Sequence, residues 1–148
     1  MAINRSASAT WSGGLKTGRG TLSTQSGVLS NSPYGFGSRF ESGAGTNPEE
    51  LIGAAHAGCF TMQLAALLEQ EGHPAERLET KATVTLEKDA TGFVISAVKL
   101  ALTGKVPDAD DATFQRIASK AKEVCPVSRL LNTKVSLEAR LERAAAAS

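Results

Sequence analysis

The chain reads as an α+β fold in the order ββ(β)–α–ββ–α–β, with antiparallel sheets and a central buried helix. Three observations predict it. Residues 78–87 alternate apolar and polar with a period of two, which is a half-buried strand. Residues 47–71 form a capped apolar run much longer than a strand. Phe114, Ile117, Ala118, Ala121 and Val124 recur at helical spacing ahead of a second alternating run at 134–141. Helices set among hairpin-linked strands belong to one side of an antiparallel sheet.

The elements follow in order. Ile3, Ala7, Ala9 and Trp11 fall at odd positions with mostly polar partners, a weak first strand. Ser12-Gly13-Gly14 turns the chain into a second strand over about 17–24. Residues 27–46 are rich in Gly and Ser and include Pro33, so they read as a long loop with one short strand at Val28-Leu29. Asn47 suits a helix N-cap, Pro48 the first helical position and Glu50 the third. Gly72 and Pro74 end that helix. Leu78, Thr80, Ala82, Val84 and Leu86 mark one face of the next strand, and 89–92 is its hairpin loop. Phe93 to about Thr103 returns. Residues 108–111 offer N-caps for a helix that ends at Cys125, where Pro126 breaks it. A short helical turn over 127–131 and a last strand holding Val135, Leu137, Ala139 and Leu141 complete the chain.

A length of 148 residues favours one domain, taken as 1–142, with a fraying tail at 143–148. Sixteen Lys and Arg stand against 15 Asp and Glu, so no basic excess draws nucleic acid or an anionic membrane. A single Trp11 leaves little for base stacking. Residues 51–68 are long enough to span a bilayer. However, His56, Thr61 and Gln63 interrupt the run and glutamates flank it, which favours a core helix. No apolar stretch follows Arg5, so no signal peptide is expected and the setting is cytoplasmic.

The only two thiols are Cys59 and Cys125. Each alone reads as a small packed hydrophobe. His56 shares a helical face with Cys59, but no second paired-ligand motif supports a metal, and none is expected. Neither a third orienting group nor an oxyanion hole is signalled for a Cys/His nucleophile. A peroxide-reducing thiol needs a cation to hold its thiolate, a carboxylate to hold that cation, and a second thiol to trap the sulfenic acid. Candidates for every part exist: Cys59, Cys125, Arg39 or Arg19, and Glu49 or Glu50. Glu50 fits a helix-capping role, which leaves Glu49 the freer carboxylate.

The run Thr46-Asn47-Pro48-Glu49-Glu50-Leu51-Ile52-Gly53-Ala54-Ala55-His56-Ala57-Gly58-Cys59-Phe60 resembles the signature of the OsmC/Ohr family, the osmotically inducible and organic hydroperoxide resistance proteins. Ala121-Lys122-Glu123-Val124-Cys125-Pro126-Val127-Ser128 resembles its second cysteine motif. Ser23-Thr24-Gln25-Ser26-Gly27-Val28-Leu29 and Pro33-Tyr34-Gly35-Phe36-Gly37-Ser38-Arg39-Phe40-Glu41 resemble the OsmC branch. The resemblance covers about 5–142.

It implies an OsmC-like fold, an intertwined homodimer with sites at the subunit interface, and a thiol peroxidase for organic hydroperoxides that uses no cofactor. It implies Cys59 as the peroxidatic thiol, Cys125 as the resolving one and Glu49 as the carboxylate. Ser38-Arg39-Phe40 points to Arg39 as the cation, while the turn Gly18-Arg19-Gly20 points to Arg19; Arg39 is favoured. The expected cycle forms a Cys59 sulfenic acid, then a Cys59–Cys125 disulfide, which an external dithiol, in relatives of the lipoyl type, reduces. The competing reading is a non-enzymatic, stress-linked protein that binds a small ligand or senses redox state. Glu49 and Cys59 are ten residues apart, or ~15 Å along one straight helix. Either the helix breaks near Gly53, or the carboxylate serves the thiol of a partner subunit, as a two-fold dimer allows.

Overall fold

A computed structural model describes residues 1–143; of the tail expected at 143–148, residues 144–148 lie outside the described residues. Two compact units carry the elements, the first spanning Met1–Leu51 and the second running from Ile52 on.

In the first unit, β1 (Ala7–Ser12), β2 (Arg19–Thr24) and β3 (Ser32–Tyr34) form an antiparallel sheet in chain order. The third strand is therefore at Ser32–Tyr34 and not at Val28-Leu29. Gly27 turns at φ +79 and Asn31 at φ 49, and Thr24 binds the backbone of Leu29 on both sides, so residues 25–31 form a turn. The expected loop also contains a short helix, α1 (Phe36–Phe40). Its sequence signal is slight because Gly35 caps it through backbone geometry. Ser38 then ties it down, donating to the carbonyl of Thr46 at 2.7 Å and accepting from the Gly35 amide at 3.0 Å. Gly20 carries no side chain for a steric reason. A Cβ there would lie 2.4 Å from Tyr34 and 2.6 Å from Trp11, the two rings that pack across the sheet.

α2 (Pro48–Gln70) begins as the sequence implies, with Asn47 Oδ1 accepting from the Glu50 amide at 2.8 Å. It continues without a break at Gly53. By length and composition it is one helix able to cross a membrane. Its buried residues instead follow one stripe, His56, Phe60, Leu64 and Leu68, which enters a protein core. The expected central helix is buried along that stripe, while Met62, on the same apolar run, is 76% exposed.

In the second unit, β4 (Arg77–Asp89), β5 (Gly92–Lys105) and β6 (Lys134–Leu141) form one sheet in the order β4-β5-β6. β4 and β5 are an antiparallel hairpin closed by a two-residue loop, where Asp89 accepts from the Thr91 amide and Gly92 turns at φ +131. β6 pairs with β5 in parallel, which corrects the expectation of antiparallel pairing. The cause is the connection: α3 (Asp111–Val124) and α4 (Pro126–Leu130) intervene, and a helical crossover returns the chain in the same direction. Register puts Val84, Val98 and Val135 side by side, and likewise Ala82, Leu100 and Leu137, so one sheet face is largely apolar, with Thr80 the polar residue on it, accepting from Thr61 of α2. Phe60, Leu64 and Leu68 of α2 and Phe114, Ile117, Ala118 and Ala121 of α3 cover it. Gly104 makes room for this packing, since a Cβ there would sit 2.7 Å from the Phe114 ring.

Candidate active site

Both thiols belong to this core. Cys59 lies on α2, one position before the fully buried Phe60, and is half-buried. Cys125 is fully buried and lies where α3 ends and α4 begins. Pro126 produces that junction. A residue before proline is pushed out of the helical region, and Cys125 sits at φ −57, ψ 125. It still donates its amide to Ala121 at 2.9 Å, closing α3, while its carbonyl accepts from Arg129 at 3.0 Å, opening α4. The thiol is thus carried by two helices at once.

The two sulfurs are 3.0 Å apart, with the Cys125 thiol donating to Cys59 Sγ, and both are reduced. Residues 66 positions apart in sequence therefore meet directly. Burial, then the contact with Cys125, pushes the Cys59 thiol up from its ordinary range. The backbone N–H of Val127 bonds to Cys59 and pulls the other way. As an early amide of α4, Val127 N–H has no acceptor within its own helix.

One turn before Cys59, His56 is completely buried and its Nε2 lies 2.7 Å from Ser128 Oγ. Its Nδ1 is buried without a partner. Burial holds the imidazole below its ordinary range, so it is neutral at pH 7. A bare buried N–H is costlier than a bare lone pair, which puts the proton on Nε2, donating to Ser128. Sequence reasoning placed His56 on the helical face of Cys59 but missed Ser128. The spacing held a signal: Ser128 follows Cys125 by three residues, as Cys59 follows His56 by three.

In the first unit, Arg39 and Glu49 form a two-pronged ion pair, Nε to Oε1 at 3.0 Å and Nη2 to Oε2 at 3.1 Å. The carboxylate is buried and the guanidinium 38% exposed, which leaves the arginine a face to offer. Glu50 is occupied otherwise: its amide is capped by Asn47 and its carboxylate accepts from Thr46 Oγ1 at 2.7 Å. Arg19 forms no ion pair among the described residues. Asn47 Nδ2 also donates to the Ser38 carbonyl at 3.0 Å, so the helix start and the segment carrying Arg39 are bonded together. Arg39, Phe36 and Phe40 line one cleft of about 310 Å³ with Trp11, Leu15 and Tyr34. Its walls are mostly aromatic, with Leu15 and Gly35 among them, and Arg39 is its one charged lining residue.

Residues 41–140 match the family model described as OsmC-like protein. The chain is 46% identical over 142 residues to the peroxiredoxin OsmC of Escherichia coli, covering 96% of this chain and 99% of that one. It is 36% identical over 88 residues to an organic hydroperoxide resistance protein of Xanthomonas axonopodis, covering 58% of this chain and 59% of the relative. Among solved structures, the organic hydroperoxide resistance protein OhrB of Bacillus subtilis superposes with a TM-score of 0.65 at 26% identity, over 93% of this chain and 98% of that one. An OsmC-like protein of unknown function from Vibrio cholerae shares the fold with a TM-score of 0.74 at 17% identity, over 93% of this chain and 99% of that one. With a full-length relative at this identity and a family model spanning most of its residues, the chain belongs to the OsmC family.

Proposed function

We propose that this chain is a thiol-dependent peroxidase that reduces organic hydroperoxides to alcohols. The observation that carries the reading is the 3.0 Å contact between Cys59 and Cys125 in a reduced core. An S–S bond is about 2.05 Å long, so the sulfurs need approach by only about 1 Å to join. In the first step the Cys59 thiolate attacks one oxygen of the hydroperoxide and the O–O bond breaks. The alkoxide takes a proton and leaves as an alcohol, and Cys59 becomes a sulfenic acid. In the second step the Cys125 sulfur attacks Cys59 Sγ. The S–O bond breaks, water leaves with the thiol proton, and a disulfide remains. An external dithiol, of the lipoyl type in this proposal, restores both thiols by exchange.

The half-buried Cys59 thiol needs a cation to ionise at neutral pH. Arg39 is that cation, and Glu49 holds its fork in place. α2 is unbroken between Glu49 and Cys59, a span of ~15 Å along a helix. Of the two options we take the second, and assign the Arg39–Glu49 pair to the Cys59 of a second copy in a two-fold homodimer. The aromatic cleft beside Arg39 suits an alkyl or aryl group, as in the hydroperoxides named for the Xanthomonas relative. The test is a steady-state assay with cumene hydroperoxide and dihydrolipoamide. Turnover that is lost with Cys59→Ser supports the reading; binding without turnover in the wild type overturns it.

A further inference from the structure

We propose that His56 and Ser128 are positioning residues for the resolving step: their hydrogen bond latches α4 to α2 and so holds Cys125 against Cys59. The inference rests on the two-cysteine reading above. α4 is only five residues long, the side chain at its N-cap makes no capping hydrogen bond to the helix, and none of its residues is fully buried. A helix so short does not hold its place alone. Three successive contacts fix it to α2: the Cys125 thiol to Cys59, the Val127 amide to Cys59, and the Ser128 hydroxyl to His56. The first two change when Cys59 is oxidised, because its sulfur gains an oxygen. The third involves neither sulfur and persists through the step.

The cost of losing that bond gives the latch its strength. His56 is fully buried and its Nδ1 already has no partner. Without the Ser128 hydroxyl, both ring nitrogens would be unpartnered in the core. A buried polar group in that state draws in water or moves its surroundings. The segment free to move is α4, which pivots at Cys125 itself, the residue with non-helical backbone between the two helices. A shift there turns the resolving sulfur away from a sulfenic acid that further peroxide converts to sulfinic acid.

The test measures how oxidised Cys59 partitions between disulfide and sulfinic acid. Wild type, Ser128→Ala and Ser128→Thr are each treated with excess cumene hydroperoxide and analysed by mass spectrometry. Ser128→Ala is expected to raise the sulfinic-to-disulfide ratio by about tenfold, the effect of one lost buried hydrogen bond. Ser128→Thr restores the hydroxyl and is expected to return the ratio close to the wild-type value. In a Cys125→Ser background, dimedone trapping reads the first step alone, and Ser128→Ala is expected to slow it far less than it raises the ratio, through the Val127 amide alone. An unchanged ratio in Ser128→Ala, a failed rescue by threonine, or equal slowing of the first step would each overturn the latch. A wild type that forms no disulfide at all would remove the two-cysteine reading beneath it, which is a different result from a normal wild type with an insensitive ratio.

Discussion

In the proposed mechanism Arg39 faces two demands, since it must reach a substrate and must not wander. Glu49 meets the second by taking both prongs of the guanidinium at 3.0 and 3.1 Å. Lysine has no fork, so Arg39→Lys keeps the charge and loses the orientation. It is expected to lower kcat/KM for cumene hydroperoxide by about a hundredfold, the scale of removing one oriented donor from a reacting oxygen. Glu49→Gln should fall in the same direction by less, and the double variant should be no worse than Arg39→Lys, because the two act as one unit. Kinetics on the three variants checks this. His56 makes a separate prediction. Burial lowers its pKa from 6.5 in the folded state, so the unfolded chain takes up that proton first as pH falls. Its contribution is whole above about pH 6.5, and stability declines as pH drops below that value until the folded pKa is passed. Thermal melts should show this decline in the wild type and not in His56→Gln. Cys59, Cys125 and Glu49 were legible because each sits in a run with a recognisable order of residues. Ser128 was not, because a serine on a short amphipathic turn is ordinarily a solvated residue.

The elements show where local sequence suffices and where packing decides. Asn47-Pro48 announced the start of α2 and residues 108–111 that of α3, and caps form at Asn47 and Asp110. The alternation at 78–86 announced β4, since its period of two is independent of any partner. By contrast α1 is five residues held by Ser38, and β3 is three residues paired to β2. Neither is long enough to impose a period on the sequence, and both depend on bonds to segments elsewhere. The parallel pairing of β6 was equally hidden, because side-chain alternation is the same in either direction. Gly104 offers a test of packing at this scale. Its absent Cβ makes room for Phe114, at 2.7 Å, and an aromatic ring yields little. Gly104→Ala is expected to destabilise the protein by about 1–3 kcal/mol in urea unfolding, the usual cost of overfilling a core.

At the scale of the whole molecule, α2 is apolar around its circumference while this chain alone buries one stripe of it, and that excess fits the proposed homodimer. If Arg39 serves the partner's Cys59, two inactive variants should complement each other. Co-expressed Cys59→Ser and Arg39→Ala chains that pair at random place one intact site in half of the dimers, which gives about a quarter of the wild-type activity. No recovery on mixing would place thiol and arginine in one subunit. This crossing was suggested by the ten-residue separation of Glu49 and Cys59, and by nothing in the composition. The central claim is narrower: two thiols 66 residues apart act as one redox pair. Its most direct test is peptide mapping of the wild-type protein after one equivalent of cumene hydroperoxide. A peptide pair joined through Cys59 and Cys125 is the expected product; a sulfenic or sulfinic acid on Cys59 beside an intact Cys125 thiol would contradict the claim.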